Sequence, residues 1–564
     1  MSNHQVGVNL VEGQSVSPIA GVTTAVGAII GTFERGPLDV ATLVTSMSQF
    51  MLLFGSKPAA GSTSWYSVEA YFAKTGSGSL YIIRVASSTA ASAAHTFKDR
   101  GSGTPADALK IEAANEGAWG NDLAVQIEDN AILTTTLAED ADATDTSAVL
   151  TSIEGLEVGS DVSFYNGTDT EYIRVISIDH ANNTIHWTGG LTNDYTTANG
   201  VITSQEFKLT VSVKAVEVEE WAGLSINSVV SFYVEKKVTS DYILCTDVLE
   251  APTNTYEDQP VAIAATALTS GADGLDDVEA TDYSGSQADK TGVFALDAIP
   301  DVFRLACPNP LLTEAEAETA YIGLVQALID YVNARVTMTY YADIPYAKTV
   351  AEAVTFAQNF AGRRLVFFWP WLKVMKNSLP VWLPPSSFVL GVAAEKDYRR
   401  GVHKNVGNET VPCAIGLEYN VSRAEGETLN NAGVNTIRKF LPGGIKTYGG
   451  RTMSTLTAWR FIHFSELWNY IGRSLEVATQ DIPFEVHDEV LWKSVIRRVS
   501  AFLSNEQRKG AIGDFAVVMD ATNNPPDQVA LGIAQVDIEY VPAATAEKFV
   551  ITLTSSPAGL SVSV

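Results

Sequence analysis

Residues 442–452 read PGGIKTYGGRT, and Gly444 and Gly449 have the spacing of the two glycines of a phosphate-binding loop. Such a loop turns successive amides onto phosphate oxygens, with a lysine and a hydroxyl residue after the second glycine. Here Gly450, Arg451 and Thr452 follow it, so the lysine is missing and no clear helix begins. Glycines serving tight turns at positive φ are the better reading. A second stretch, EDADATDTS at 139–147, resembles a calcium loop. It lacks the glycine at the sixth position, and Thr151 stands where the twelfth, acidic ligand belongs, so it reads as a solvated acidic loop. The seven histidines show no His-Glu-x-x-His motif and no pairing with a cysteine. His487, beside Asp488 and Glu489, marks a helix start, where acidic groups suit the dipole. No Gly-x-Ser-x-Gly elbow is present. The aromatics of FFWPWLKV (367–374) read as core or interface in preference to a ligand cage. No enzyme, cofactor or metal site is predicted.

The elements that must carry these residues are many. At 564 residues the chain calls for roughly three or four domains, at about 100–200 residues each. Apolar content of 46% with 18% charged residues describes an ordered globular protein. A net charge of −28 argues against nucleic acid, whose partners need basic surface. Residues 423–512 depart from this, with 12 Lys+Arg against 9 Asp+Glu, where the whole chain has 37 against 65. A block of that kind could face an acidic partner, or be a fluctuation of composition. Cys245, Cys307 and Cys413 are too scattered for a disulfide framework or a metal, which fits a reducing compartment. The opening MSNHQVGVNLVEG has no basic start and no apolar run of a secretion signal. AVGAIIG at 25–31 is far short of the about 20 residues that span a bilayer. A soluble chain made without Sec export is expected.

Along the chain, GVTTAVGAIIGTFERGP (21–37) and LYIIRV (80–85) read as buried strands. Two helices lie between them, the first capped by Ser46 and stopped by Gly55. From about 130 the texture changes to polar–apolar alternation between Asn-Gly, Asn-Asn and Gly-Gly turns, which is hairpin chemistry. Helix–strand alternation returns between 290 and 395, with strands at VFRLACP, VTMTYYADIP and RRLVFFWPW. A helix between the first two has Thr313 as its predicted N-cap and Glu316 in the capping-box position. A later helix, DEVLWKSVIRRVSAFLS, lines one face with Leu491, Val495, Val499 and Phe502, leaving Lys493 and Arg497 largely outside.

Both ends of the chain alternate like strands: Val6, Val8 and Leu10 at one, Leu560, Val562 and Val564 at the other. Neither has an obvious partner in its own chain. Unpaired strands fray, or they add to the edge of another subunit's sheet.

Several blocks together resemble contractile tail sheath proteins of bacteriophages and related injection systems. GVTTAVGAIIGTFERGPLDVATLVTSMSQFMLLFG and SWYSVEAYFAKTGSGSLYIIRV look like the opening of such proteins. ALTSGADGLDDVEATDYSG, ADIP, WPWLKV and PPSSFVLGVAAEKDYRRGVHKNVGN are similar to their middle blocks. LNNAGVNTIRKFLPGGIKTYGGRTMS followed by WRFIHFSELWNYI resembles their C-terminal signature. The resemblance covers about two thirds of the chain in order and fails over 131–205.

The resemblance implies a structural protein, not an enzyme, with no cofactor. Subunits of this family stack as hexameric rings around a tail tube and contract to drive the tube through the host envelope, without nucleotide. The implied partners are other copies of the chain, the tail tube protein, and baseplate and tail terminator proteins. Direct nucleic-acid contact and membrane insertion are not implied. The implied location is the virion tail, assembled in the bacterial host cytoplasm. The expected fold is a multidomain α+β and α/β protein with discontinuous, nested domains. Residues 1–22 form an N-terminal arm that joins the C-terminal domain; 23–95 with 276–431 form an α/β domain; 96–130 with 206–275 form a β-rich domain. Residues 131–205 form a small β insertion on the outer surface, and 432–564 an inner C-terminal domain with a strand-donating arm at 555–564. Val6, Val8, Leu10, Leu560, Val562 and Val564 are the candidate inter-subunit strand residues, and Lys493 and Arg497 the candidates to face the tube. The sheath of a phage-tail-like bacteriocin or secretion system is the nearest alternative. An NTPase built on 444–452, or an adhesin built on 131–205, would belong to different classes.

Overall fold

A strand buried on both faces reads as an unbroken apolar run, and several such runs meet edge to edge at the centre of the molecule. The computed structural model describes residues 19–250, 253, 255–308, 310, 317–376, 378–547 and 549–551. Strands β1 (Gly27–Gly31), β2 (Thr42–Val44), β3 (Leu80–Arg84), β4 (Arg304–Ala306), β5 (Thr339–Asp343), β6 (Leu365–Trp369), β7 (Val434–Phe440) and β8 (Gly444–Tyr448) form one sheet, ordered β2-β3-β1-β4-β5-β6-β7-β8. Strands β3 through β7 in that order run parallel, and β2 and β8 close the edges antiparallel. Helices α1 (Ser64–Thr75), α2 (Ala317–Arg335) and α3 (Ser386–Arg400) cover the sheet. Period-two alternation divides its residues between two cores: Ala28, Ile30, Leu305, Tyr340 and Phe367 meet α2, while Ile29, Ala306 and Phe368 lie on the side of α1 and α3. Thr313 and Glu316, the expected cap of α2, lie outside the described residues.

The placement of 432–453 in the C-terminal domain is corrected here. β7 pairs in parallel with β6 through Phe367↔Val434, Phe368↔Asn435 and Trp369↔Thr436, so β7 and β8 complete the central sheet. This pairing joins residues some 67 positions apart, beyond the reach of any local pattern.

Between β3 and β4 the chain leaves the sheet and builds two further cores. One, lined by Leu109, Ile111, Val125, Leu209 and Val211, lies among strands of a four-stranded and a three-stranded sheet. The other, with Leu137, Phe164, Ile185, Trp187 and Tyr195, belongs to the segment rich in Asn and Gly turns. The two units are pinned together by Arg174, which donates to Asp161 at 2.8 and 2.9 Å and to the Thr255 carbonyl at 3.0 Å. Gln259 donates to the same Asp161 carboxylate at 3.1 Å.

After β8 comes a compact C-terminal unit of helices α4 (Ile462–Ala478) and α5 (Glu489–Arg508) and strands β9 (Ile512–Val518) and β10 (Asp537–Pro542). Asp488 caps α5, accepting from the amides of Val490 and Leu491 at 2.9 Å each. Val495, Val499 and Phe502 turn inward onto Leu467, Tyr470 and Ile471 of α4. No helix among the described residues is long and apolar enough to cross a membrane.

One buried carboxylate makes stability depend on pH. Asp343, at the end of β5, accepts from the Ser386 amide at 2.7 Å and from its hydroxyl at 2.5 Å, and so holds the start of α3. Burial pushes its pKa up to about 7, although the Ser386 hydrogen bonds favour the charged form. The unfolded carboxyl titrates near about 3.9. Between these values the folded state keeps a proton that the unfolded state has released, so this contribution to stability is present at low pH and is lost as pH rises through 7. Asp343→Asn keeps an acceptor for the amide and has no charge to bury. The melting temperature of D343N relative to the parent is expected to increase from pH 5 to pH 7 and to level off by pH 8 in calorimetry. A constant difference would refute the assignment.

Candidate functional site

The glycines of PGGIKTYGGRT answer to the backbone in two different ways. Gly443 and Gly444 have φ of +140° and +75° and make the turn between β7 and β8. Gly449 and Gly450 do not have positive φ; they are small because neighbours press on them. A Cβ at Gly450 would sit 1.9 Å from Asn405 Oδ1, and one at Gly449 would sit 2.8 Å from Asn435 Oδ1. The segment between the two signature glycines is β8 itself, paired with β7 from Phe440↔Gly444 to Thr436↔Tyr448. An extended strand has no row of amides curled round one point, so the stretch is not a phosphate cradle. The acidic loop at 139–147 is spent on turns: Asp145 accepts from the Asp142 amide at 2.9 Å and Asp140 from the Thr197 amide at 2.7 Å. Among the described residues no group of three or more His, Cys, Asp or Glu side chains could hold a metal ion. Phe367, Phe368 and Trp369 are fully buried, and Trp371 donates its indole N–H to the Ile344 carbonyl at 2.8 Å.

The C-terminal unit instead brings the first described residues, from Ile19, beside the last described strand, β10. β9 and β10 pair antiparallel, from Ile512↔Pro542 to Val518↔Asp537, with a register shift between Ile512 and Phe515. They form a two-stranded sheet with no further strand at either edge among the described residues. Two strands alone are marginal in water, and unpaired edges are templates for another chain. Ile19 and Val22 pack into the same core as Val517, Ile538 and Tyr540, and the Val22 amide donates to Ser474 Oγ of α4 at 3.1 Å. At the other end the Ala543 amide, just past β10, donates to the Ala511 carbonyl at 3.1 Å.

A buried ion cluster bolts this unit to the central sheet. Arg304 of β4 donates to Glu466 of α4 through Nε at 2.7 Å and Nη2 at 2.6 Å, and to Asp397 of α3 at 2.7 Å. Its Nη1 donates to the Thr24 carbonyl at 2.8 Å, which ties in the N-terminal segment. Tyr341 of β5 adds a bond to Glu466 at 2.8 Å, and Lys396 pairs with Asp397. Burial opposes the charge on Arg304, but Asp397 and Glu466 outweigh it and hold the guanidinium protonated well above its ordinary value. Burial likewise opposes ionisation of Asp397, yet Arg304 and Lys396 keep it below the usual carboxylate range. Four segments (β4, α3, α4 and the start of the described chain) are thus joined through one side chain.

Of the residues expected to act in assembly, Val6, Val8, Leu10, Leu560, Val562 and Val564 lie outside the described residues. Lys493 and Arg497 are both exposed on α5. Lys493 pairs with Glu489 one turn earlier at 2.9 Å, and it is the neighbouring Arg498 that binds Asp481, at 2.9 and 3.1 Å. The Arg304 cluster was not legible in the sequence; a lone arginine in the strand-like run VFRLACP is its only local sign.

Comparison with known proteins agrees with the division at 453. Residues 278–453 match the phage tail sheath protein central domain, and residues 454–555 match the phage tail sheath C-terminal domain. The tail sheath protein of Escherichia phage P2 is 21% identical over 283 residues, 48% of this chain and 68% of that protein. That of Vibrio phage KVP40 is 28% identical over 156 residues, 26% of this chain and 22% of that protein. Across five curated relatives, the match spans between 22% and 68% of the relative's own length. The fold is shared with a sheath tail protein from Listeria innocua (TM-score 0.54, 12% identity, 94% of this chain and 97% of the other). It is also shared with the helical sheath of the anti-feeding prophage in its contracted state (TM-score 0.52, 15% identity, 99% and 100%). With sheath domains matched in succession from residue 278 to 555, curated tail sheath relatives and a common fold, the chain belongs to the contractile tail sheath family, a family of structural proteins.

Proposed function

We propose that the chain polymerises into stacked hexameric rings around a tail tube and contracts to drive that tube through the envelope of a bacterial host. The observation that carries this reading is the two-stranded sheet of β9 and β10, which has no further strand at either edge among the described residues and shares its core with the first of them, Ile19 and Val22. Val6–Leu10 and Leu560–Val564 are the strands offered to neighbouring copies. An inter-subunit sheet built from them keeps rings linked while subunits slide and rotate. Contraction is then a switch between two packings, favoured by better subunit contacts in the shorter state and needing no nucleotide. The partners on this reading are other copies of the chain, the tube protein, the baseplate and the tail terminator. The place of action is the tail of the particle, after assembly in the host cytoplasm. The insertion at 131–205, which lies outside the matched domains, faces outward.

The test is direct. The purified full-length chain, concentrated alone or with its tube, should form hollow ringed cylinders in electron micrographs. A chain that stays monomeric under both conditions would sink the reading. Lys493 and Arg497 are assigned to the tube face, on an exposed side of α5 in a block of the chain that is not acidic. Reversing both charges is expected to lower sheath formation on tubes about tenfold, and more at low salt than at high, because exposed charges are screened. Equal co-sedimentation of variant and parent would exclude these two residues.

A further inference from the structure

Arg451, two residues past the second signature glycine, is held by its backbone at both polar groups. Its amide donates to Asn435 Oδ1 at 2.6 Å, and Asn435 Nδ2 donates to its carbonyl at 2.7 Å. The guanidinium therefore starts from a fixed point. It donates to Glu547 through Nε at 3.2 Å and Nη2 at 2.8 Å, and through Nη1 to the Asn430 carbonyl at 3.0 Å. Two bonds to one carboxylate fix direction as well as distance. The pair is largely shielded, with side-chain exposures of 15% for Arg451 and 30% for Glu547.

Glu547 is the last of three alternate residues tied to the body just after β10. The Ala543 amide binds the Ala511 carbonyl at 3.1 Å, Thr545 Oγ1 shares a 2.9 Å hydrogen bond with His463 Nε2, and Glu547 binds Arg451. His463 is itself buried, with its other nitrogen 3.2 Å from Asn405 Nδ2. Directly beyond this anchored stretch Phe549, Val550 and Ile551 are 86%, 69% and 69% exposed.

The position of the anchored stretch matters because of what the chain would otherwise do. A strand that ends at Pro542 needs a loop of only about two to five residues to double back as a hairpin along the free edge of β10. The apolar residues from Phe549 onward would then fill that edge from within the same chain, at the high effective concentration of a short linker. Residues 543–547 are the ones such a hairpin would use for its loop, and they are bonded elsewhere.

We propose that Arg451 and Glu547 are positioning residues for assembly: their clasp holds the root of the C-terminal arm against its own subunit, blocks the self-hairpin on β10, and delivers the arm to a neighbour. This rests on the assembly reading above and adds to it a device against self-capture.

The test uses full-length chains carrying Arg451→Glu, Glu547→Arg, both together, Arg451→Lys, and the milder Glu547→Gln. In dilute monomer, amide exchange over 543–551 should quicken about tenfold in either reversal and in E547Q, and return to the parent rate in the double swap. At assembly concentration, the yield of sedimentable polymer should fall about tenfold in the single reversals and recover in the swap, with R451K between. Equal exchange in all variants would overturn the clasp, and unchanged polymer yield in the single reversals would overturn its role in assembly. If the parent itself forms no polymer, the assembly reading fails, while the exchange data still decide the clasp.

Discussion

Replacing Arg304 with methionine is expected to cost about 3–5 kcal/mol of stability, the range for a buried ion pair that loses one partner. The Arg304 side chain is 2% exposed, and Asp397 and Glu466 are 1% exposed each. Methionine fills the space of the stem but leaves two carboxylates facing each other without their cation. Asp397 keeps Lys396, whereas Glu466 keeps only the hydroxyl of Tyr341. Glu466 is then the orphan, a buried charge without its cation. Pairing R304M with Glu466→Gln should recover part of the loss, because the glutamine leaves no charge to bury. Urea denaturation reads the magnitude. Amide exchange adds the location, and α4 should open first because Arg304 is its tie to β4. A variant within about 1 kcal/mol of its parent would mean the cluster is no bolt.

How much of this was legible follows from how far each signal reaches along the chain. GAIIG, LYIIR and LVFFW announce themselves because a strand covered on both faces must be apolar throughout. The helix from Met47 to Phe54 was legible at both ends, since Ser46 accepts from the Gln49 amide and Gly55 has φ of +97°. β9 was missed because its register shift between Ile512 and Phe515 breaks the period of two that marks a strand. β7 was seen as belonging to the C-terminal unit because its parallel partner β6 lies far back in the chain. The Arg304 cluster was invisible for a stronger form of the same reason. Arg304, Asp397 and Glu466 are 93 and 162 positions apart in pairing, and each alone looks like an ordinary charge. Gly449 and Gly450 show the converse: their type was rightly singled out, but the cause is the close approach of Asn435 and Asn405, which no spacing rule contains.

Deleting residues 555–564 is expected to abolish assembly while leaving the fold intact. The last described residues end at 551, and every core identified here is built from residues before 543, so the truncation removes no contact on which a described core depends. Its melting temperature should match the parent's to within about 2 °C, as for changes that touch no core. Assembly is another matter. A strand of about five residues laid along the edge of β9 or β10 gains several main-chain hydrogen bonds, each worth about 0.5–1.5 kcal/mol net. Even after the entropy of ordering the arm, a net of about 3 kcal/mol per subunit corresponds to a shift of more than a hundredfold in the concentration needed for assembly. Exposed Val518 and Val541, at 39% and 59%, lie on the sheet that would receive it and would be covered in the process. Sedimentation across a concentration series should show the parent pelleting at a threshold that the truncated chain never reaches, with monomers alone in the micrographs. An isolated peptide of residues 549–564 added in trans should occupy the acceptor edges and lower the parent's yield as well. Filaments of the truncated chain at the parent's threshold would show that linkage runs through some other surface, and would leave β9 and β10 without the role assigned to them.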